Sequence, residues 1–141
     1  MTRQRCIVDG EVVFNRFVSG DIDEDSHVSA GLFTAAYTLI EESILPDYEY
    51  NALNDCLCWF RKHLEDPYRY RLEPAQFVDQ SICWFRFGAK EHLTRAWDVV
   101  EILERSDIFV RIVKCQRPGY VLYEDRFQIV AYPFADIRAL L

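Results

Sequence analysis

The sequence predicts one α+β domain spanning residues 1–141, with a mixed β-sheet covered by about three helices. Strand-like runs with period-two alternation are densest in residues 107–134, and runs with helical spacing fill the middle of the chain. A chain of 141 residues, of which half are hydrophobic and 15% are aromatic, is long and apolar enough to bury one core.

The first elements are a hairpin and a loop. Asp9-Gly10 separates two strand-like runs and is a strong signal for a two-residue turn, so we predict a hairpin over about residues 4–17. The sequence leaves open which part of the sheet this hairpin joins. A polar, acidic loop is predicted over residues 19–29.

Two helices follow the acidic loop. Ser29 is expected to cap a helix over about residues 30–45, which carries apolar side chains at three- and four-residue spacing. Pro46 ends this helix, and Asp47 is expected to cap a second one over about residues 48–64. The segment after it contains two prolines and is predicted to be an extended loop.

A strand, a helix and another strand come next. Residues 81–87 are rich in β-branched and aromatic side chains, and residues 89–105 have helical spacing. Residues 108–115 alternate again, so the three elements predict a β-α-β unit with parallel strands. The buried stripe of this helix is predicted to contain Leu93, Ala96, Trp97, Val100 and Leu103.

The C-terminal part reads as an antiparallel meander. Pro118-Gly119 predicts a type II turn, followed by strands over about residues 120–123 and 126–132. Pro133 is expected to end the last strand, and a short helical turn is expected after it. Both strand faces are apolar, which predicts cover on both sides.

Charge is distributed unevenly along the chain. The formal net charge is −7, and no lysine or arginine lies between Arg16 and Arg61, a segment that holds nine acids. Residues 61–141 are close to neutral, with 13 bases and 12 acids. Because phosphate binding needs a basic footprint, this layout argues against direct contact with nucleic acid.

Several other classes of protein are disfavoured by the sequence. No window is apolar enough for a membrane span, and the start has no apolar secretory region, so we expect a cytoplasmic protein. The five cysteines lack the spacing of a disulfide framework, and Cys56 and Cys58 would lie on different sides of a helix, which disfavours a shared metal ion. No nucleotide, zinc-hydrolase or serine-hydrolase motif is present, so we expect no cofactor and favour a protein that is not an enzyme.

The leading functional hypothesis is an acidic protein that binds a basic protein partner. Its most concrete versions are an inhibitor such as an immunity protein against a nuclease, or a nucleic-acid mimic. The binding surface is expected within residues 17–60, with tyrosines as anchors. Its candidate residues are Asp21, Asp23, Glu24, Asp25, Glu41, Glu42, Asp47, Tyr48, Glu49, Tyr50 and Asp55.

Two alternatives remain open. The first is a small enzyme or ligand-binding module with a pocket between sheet and helices, in which Cys83 or His92 would form the floor. Its predicted lining is Trp84, Trp97, Tyr123 and Tyr132. The second is a subunit, for example of a homodimer, that packs an uncovered face of the meander on a copy of itself.

Overall fold

The computed structural model of this chain describes residues 13–22, 28–42 and 44–141. These residues form a six-stranded sheet and four α-helices, which confirms the α+β class. The predicted hairpin over residues 4–17 lies largely outside the described residues. The elements are β1 (Phe14–Ile22), β2 (Ser29–Gly31), α1 (Leu32–Glu42), α2 (Asp47–His63), β3 (Ile82–Arg86), α3 (Lys90–Arg105), β4 (Val110–Cys115), β5 (Gly119–Glu124), β6 (Gln128–Pro133) and α4 (Ala135–Arg138).

Strand β1 lies in the middle of the sheet. On one side it pairs with β4, from Phe14 opposite Cys115 to Ser19 opposite Val110. On its other side β3 pairs with its first residues and β2 with its later ones, starting at Val18. Strand β6 lies beyond β3, and β5 lies beyond β6. All these pairings are antiparallel, so the prediction of a mixed sheet is wrong for the described strands.

The position of β1 also corrects two predicted motifs. Strands β3 and β4 are parallel to each other, as the β-α-β pattern predicted, but β1 lies between them. Strands β5 and β6 form a hairpin, whereas β4 joins β1 instead of completing a meander. Alternation identifies a strand but not its partner, so pairing with a distant strand replaced the expected local pairing.

The sheet curls strongly. Strands β4 and β5 belong to opposite ends of the strand order, yet only residues 116–118 connect them. Four strand spacings amount to about 19 Å, whereas this connection reaches at most about 14 Å. The two edges of the sheet therefore bend toward each other.

Apolar clusters cover both faces of the sheet, as predicted. Phe17 and Phe85 belong to the cluster that packs under α1, α2 and α3. Their neighbours Val18 and Trp84 point to the opposite face and form a second cluster, which Ile137 of α4 helps to close. The curled sheet thus separates a helix-covered core from a smaller core on its other face.

The starts of the first two helices differ from the prediction. Ser29 does not cap α1, because residues 29–31 pair with β1 and the Ser29 hydroxyl donates to the Leu141 carbonyl at 3.2 Å. Asp47 is the first residue of α2, and the capping position is taken by Pro46, which makes no side-chain bond. The three residues of β2 carry no sequence signal of a strand, so nothing in the sequence indicated that the helix begins after Ser29.

Two further local predictions are wrong. Trp97 is 51% exposed, and the buried face of α3 instead includes His92 and Val99. Gly119 has φ of 155°, far from the value near 80° that a type II turn requires. It begins β5, where its backbone passes close to Tyr132.

Candidate functional site

The connection between α1 and α2 exposes aromatic and apolar side chains among carboxylates. Tyr48 is 73% exposed and Ile44 is 71% exposed, so two large apolar side chains of this connection face solvent. Neighbouring acids of the same segment are exposed too. We name this surface the acidic corner; its members are Glu41, Glu42, Ile44, Asp47, Tyr48, Tyr50 and Asp55.

Glu49 does not belong to the exposed surface that the sequence predicted. Its side chain is buried, and its Oε2 accepts a hydrogen bond of 2.6 Å from Arg105 Nε. Arg105 Nη1 also donates to Glu101 at 2.9 Å on its own helix. Burying a carboxylate requires compensating donors, and this pair supplies one while fastening α2 to α3. Glu49 therefore positions the acidic corner without facing solvent.

Most acids of the predicted acidic loop lie outside the described residues. Asp21 lies in β1, whereas Asp23, Glu24 and Asp25 lie outside the described residues. Among the described residues, the acids of the predicted surface lie mainly at the end of α1 and in the first half of α2.

A cavity of about 400 Å³ forms a second candidate site. Strand β3 pairs with β1 only through Phe14 and Asn15, and β2 pairs with β1 from Val18 onward, which leaves a gap along this edge of β1. The cavity lies at this gap and is bounded by the start of α1, by residues 64–81 and by β3. We name it the strand cleft.

A connected set of polar groups lines the strand cleft. Ser81 Oγ donates to the Val78 carbonyl at 2.6 Å, so the hydroxyl of Tyr68, 2.8 Å away, donates to Ser81. The Tyr68 oxygen then accepts from the Cys83 thiol at 3.6 Å. Arg16 Nη1 donates to the Cys83 carbonyl at 3.0 Å. The neutral groups thus satisfy one another, and Arg16 adds a positive charge beside them.

The thiols near this sheet are not activated for nucleophilic chemistry. Burial raises the pKa of Cys83, although the Tyr68 hydroxyl and the charge of Arg16 offset part of this effect. Burial also raises the pKa of Cys115, to about 12. Both thiols are protonated at neutral pH, whereas a cysteine nucleophile reacts as the thiolate. Cys83, the described cysteine that lines the strand cleft, is therefore not an activated thiol.

The predicted pocket lining is mostly wrong. Trp84 and Cys83 line the strand cleft, as the alternative interpretation expected. Tyr132 instead stacks on Phe77 with 4.2 Å between the ring centroids, and Tyr123 stacks on Tyr70 with 5.6 Å between theirs. Exposed Trp97 packs edge-on against Phe17 at 5.1 Å, with no part in the cleft lining.

His92 also lies away from the strand cleft. It is 4% exposed, its Nε2 donates to the His63 carbonyl at 2.7 Å, and its ring stacks on Phe127 at 4.1 Å. These contacts join the end of α2 to the start of α3 and to the β5–β6 hairpin. A structural role accounts for this histidine.

Arg16 and Tyr68 are the cleft residues that the sequence analysis missed. Arg16 was visible as a single charged residue inside an apolar strand-like run, VVFNRFV, and this signal points to a residue with a special role. Nothing comparable marked Tyr68, which lies in a segment of mixed polarity.

Arginines near the aromatic residues of the loop and sheet are held by carboxylates. The N···O distances of their ion pairs range from 2.7 to 3.6 Å. These pairs occupy guanidinium groups that a nucleic-acid phosphate would require as donors. The pairs are Arg69–Glu65, Arg71–Glu73, Arg86–Glu124 and Arg95–Glu91.

Comparisons with known protein families, with curated proteins and with solved structures found no match. Within the described ranges, no helix has the length and apolar character needed to cross a bilayer. The same residues contain no cluster of three His, Cys, Asp or Glu side chains suited to a metal ion.

Proposed function

We propose that this protein binds a basic protein partner through the acidic corner. The observation that supports the proposal is the exposure of Tyr48 and Ile44 within a segment that contains acids but no lysine or arginine. Tyrosine is enriched among the residues that dominate binding energy, and burying an apolar side chain of this size contributes roughly 1.5–3 kcal/mol.

The acidic corner is held in place before a partner arrives. Leu53 and Leu57 of α2 are almost completely buried, and Glu49 binds Arg105 of α3. A preorganised surface loses less conformational entropy on association than a flexible one. The carboxylates around the anchors raise the association rate with a positively charged partner and select against acidic ones.

The proposed biological role is inhibition of a basic enzyme, as an immunity protein or a nucleic-acid mimic performs it. Such an inhibitor needs a rigid, acidic surface and no reaction chemistry of its own. The raised pKa values of Cys83 and Cys115 agree with this, since neither thiol is activated. A homodimer stays a separate proposal, which light scattering on the purified protein tests.

The decisive experiment first captures the partner and then measures its binding. A photocrosslinking phenylalanine analogue replaces Tyr48 in the native host, and the same analogue at exposed Thr94 on α3 serves as the control. A partner crosslinked from position 48 but not from position 94 is purified. Its association and dissociation rates are then measured at 50 and 300 mM salt.

Charge-reversed variants distinguish the acidic corner from overall charge. Replacing Glu42 and Asp47 by lysine is expected to slow association about tenfold at low salt, and the difference should shrink at high salt. Replacing exposed Asp98 and Glu104 on α3 changes the net charge equally and should have a much smaller effect. Equal slowing by both pairs would contradict a localised docking surface.

A further inference from the structure

We propose that a third cavity binds a small phosphorylated molecule, and that Lys62, Lys90 and Arg126 receive its phosphate. The cavity lies between the end of α2, the start of α3 and the turn that joins β5 to β6. We name it the basic groove. The acidic corner lies around the start of α2 instead, and the inference does not depend on the proposed protein partner.

Three bases of the basic groove have no carboxylate partner. Lys62, Lys90 and Arg126 line the cavity and are exposed. Within the part of the chain that the structure describes, none of them forms an ion pair. Arg126 only lies over the ring of Phe127, with its guanidinium carbon 5.7 Å from the ring centroid. Their charges are therefore available to an anion that enters the groove.

The acids of the basic groove are engaged by other donors. Glu65 pairs with Arg69 at 3.3 Å, and Glu91 pairs with Arg95 at 3.4 Å. Asp125 accepts hydrogen bonds from backbone N–H groups of its own turn. Four bases and three acids line the cavity, and two of these acids are neutralised by arginines outside it. The groove accordingly presents positive charge, although the whole chain has a formal net charge of −7.

A phosphate suits this arrangement better than a singly charged group does. A phosphate monoester carries a charge of about −1.5 to −2 at neutral pH, and several bases can share it. Lysine binds phosphate as a compact point charge, and its flexible stem lets Lys62 and Lys90 approach one anion from two helices. The cavity of about 720 Å³ is within the size range of small-molecule sites.

The first turn of α3 adds to the attraction of the three bases. Gly88 and Ala89 line the cavity directly before this helix of 16 residues, and the capping residue Ala89 makes no side-chain hydrogen bond. A helix start without a side-chain cap leaves N–H groups and the positive end of the helix dipole for an anion. The dipole supplements Lys62, Lys90 and Arg126 and does not replace them.

The aromatic walls of the groove are already occupied. Trp59 stacks on His63 with 4.4 Å between the ring centroids, and the Arg95 guanidinium lies 4.8 Å from the Trp59 ring. Phe127 stacks on His92 with 4.1 Å between the centroids. Recognition at this site therefore falls on the phosphate and not on a stacked ring of the ligand.

The test titrates ¹⁵N-labelled protein with inorganic pyrophosphate, inorganic phosphate and acetate at about 50 mM salt, where screening is weak. We expect pyrophosphate to bind most tightly and acetate most weakly, because attraction grows with the charge of the anion. The backbone amide signals of Gly88 and Glu91 should shift with both phosphate probes. Pyrophosphate should also raise the melting temperature, since a ligand that binds only the folded state stabilises it.

Substitutions distinguish the groove from general attraction to bases. Lys62→Gln, Lys90→Gln and Arg126→Gln should each weaken pyrophosphate binding about fivefold, as expected for removal of one charge near the anion in water. Lys114→Gln, which removes an exposed base of β4 outside the groove, should leave it unchanged. All four side chains are exposed, so the variants should keep the circular dichroism spectrum of the wild type.

Three results would overturn the proposal. The first is pyrophosphate that leaves the amide signals of the groove unmoved. The second is acetate that binds as tightly as the phosphate probes. The third is equal weakening by Lys114→Gln and by the groove variants, or no weakening by any of them, which would identify nonspecific association of counter-ions.

Discussion

At the scale of single residues, the carboxylate of Glu49 shows how a charge is kept inside this protein. A buried carboxylate is tolerated where donors replace the water that it has lost. The Glu49 side chain is 9% exposed and binds Arg105 at 2.6 Å, whereas Glu101, which binds the same arginine, is 71% exposed. One arginine therefore serves two carboxylates in very different surroundings.

This contrast gives a matched pair of substitutions. Glu49→Gln should lower the free energy of unfolding by about 1 kcal/mol, because a charge-assisted hydrogen bond at a buried group is replaced by a neutral one. Glu101→Gln should change it by less than about 0.5 kcal/mol, as expected for an exposed pair along a helix. Urea unfolding monitored by circular dichroism measures both. Equal losses in the two variants would show that burial of Glu49 contributes nothing.

Asp125 is held by several neutral donors rather than by a base. Its carboxylate accepts from the backbone N–H groups of Phe127 at 2.8 Å and Gln128 at 3.1 Å, and from the Tyr123 hydroxyl at 2.8 Å. Burial by itself would raise the pKa of Asp125, but these hydrogen bonds outweigh it and the pKa is lowered. The charged form is therefore the one that the folded protein prefers.

The lowered pKa of Asp125 predicts a pH dependence with a definite sign. Its stabilisation is fully present above the unfolded-state pKa of about 3.9 and is lost as the pH falls through the lower folded-state value. At pH 6, Asp125→Ala should destabilise the protein by about 1 kcal/mol. The difference from the wild type should shrink below about pH 4. Chemical unfolding between pH 2.5 and 6 tests this.

At the scale of elements, the β5–β6 hairpin depends on a glycine at its open end. Gly119 pairs with Pro133, and its φ of 155° lies in a region that side chains rarely adopt. A Cβ there would clash with the Tyr132 carbonyl oxygen, which belongs to the backbone and has no freedom to move aside. Gly88, by contrast, has open space around the position of a Cβ.

Alanine substitutions at these two glycines should therefore behave oppositely. Gly119→Ala should destabilise the protein by about 2–4 kcal/mol through backbone strain and the clash with β6. Gly88→Ala should be neutral or stabilise by up to about 1 kcal/mol through the entropy of the unfolded chain. Thermal unfolding compares them directly. A Gly119→Ala protein as stable as the wild type would show that the close approach to Tyr132 is absent in solution.

Elements with local sequence signals could be predicted, whereas features set by distant contacts could not. The helix predicted over residues 89–105 is observed as Lys90–Arg105, because its apolar spacing is a property of consecutive residues. The Ser29 cap was wrong because the residue is engaged by β1 and by the Leu141 carbonyl, both far away in sequence. Tertiary contacts overrode a good local signal there.

At the scale of the whole molecule, the two candidate sites also differ in whether their sequence signals are local. The acidic corner was predictable in outline because charge counts are read directly from the sequence. Burial of Glu49 was not predictable, since Arg105 comes 56 residues later. The strand cleft was missed because it joins Arg16 to Cys83 across 67 residues, at a gap that only the sheet pairing creates.

The central position of β1 has a consequence for how the chain reaches this fold. Strand β1 is made early, yet its longest ladder is with β4, so it has to wait until Cys115 has left the ribosome exit tunnel. Contacts between residues far apart in sequence slow folding, because the chain loses the entropy of closing the loop before strand pairing stabilises it. During synthesis α1, α2 and α3 are complete before the sheet beneath them. The nascent chain therefore carries β1 without its longest pairing partner until β4 arrives, and this interval is when a chaperone has most to protect.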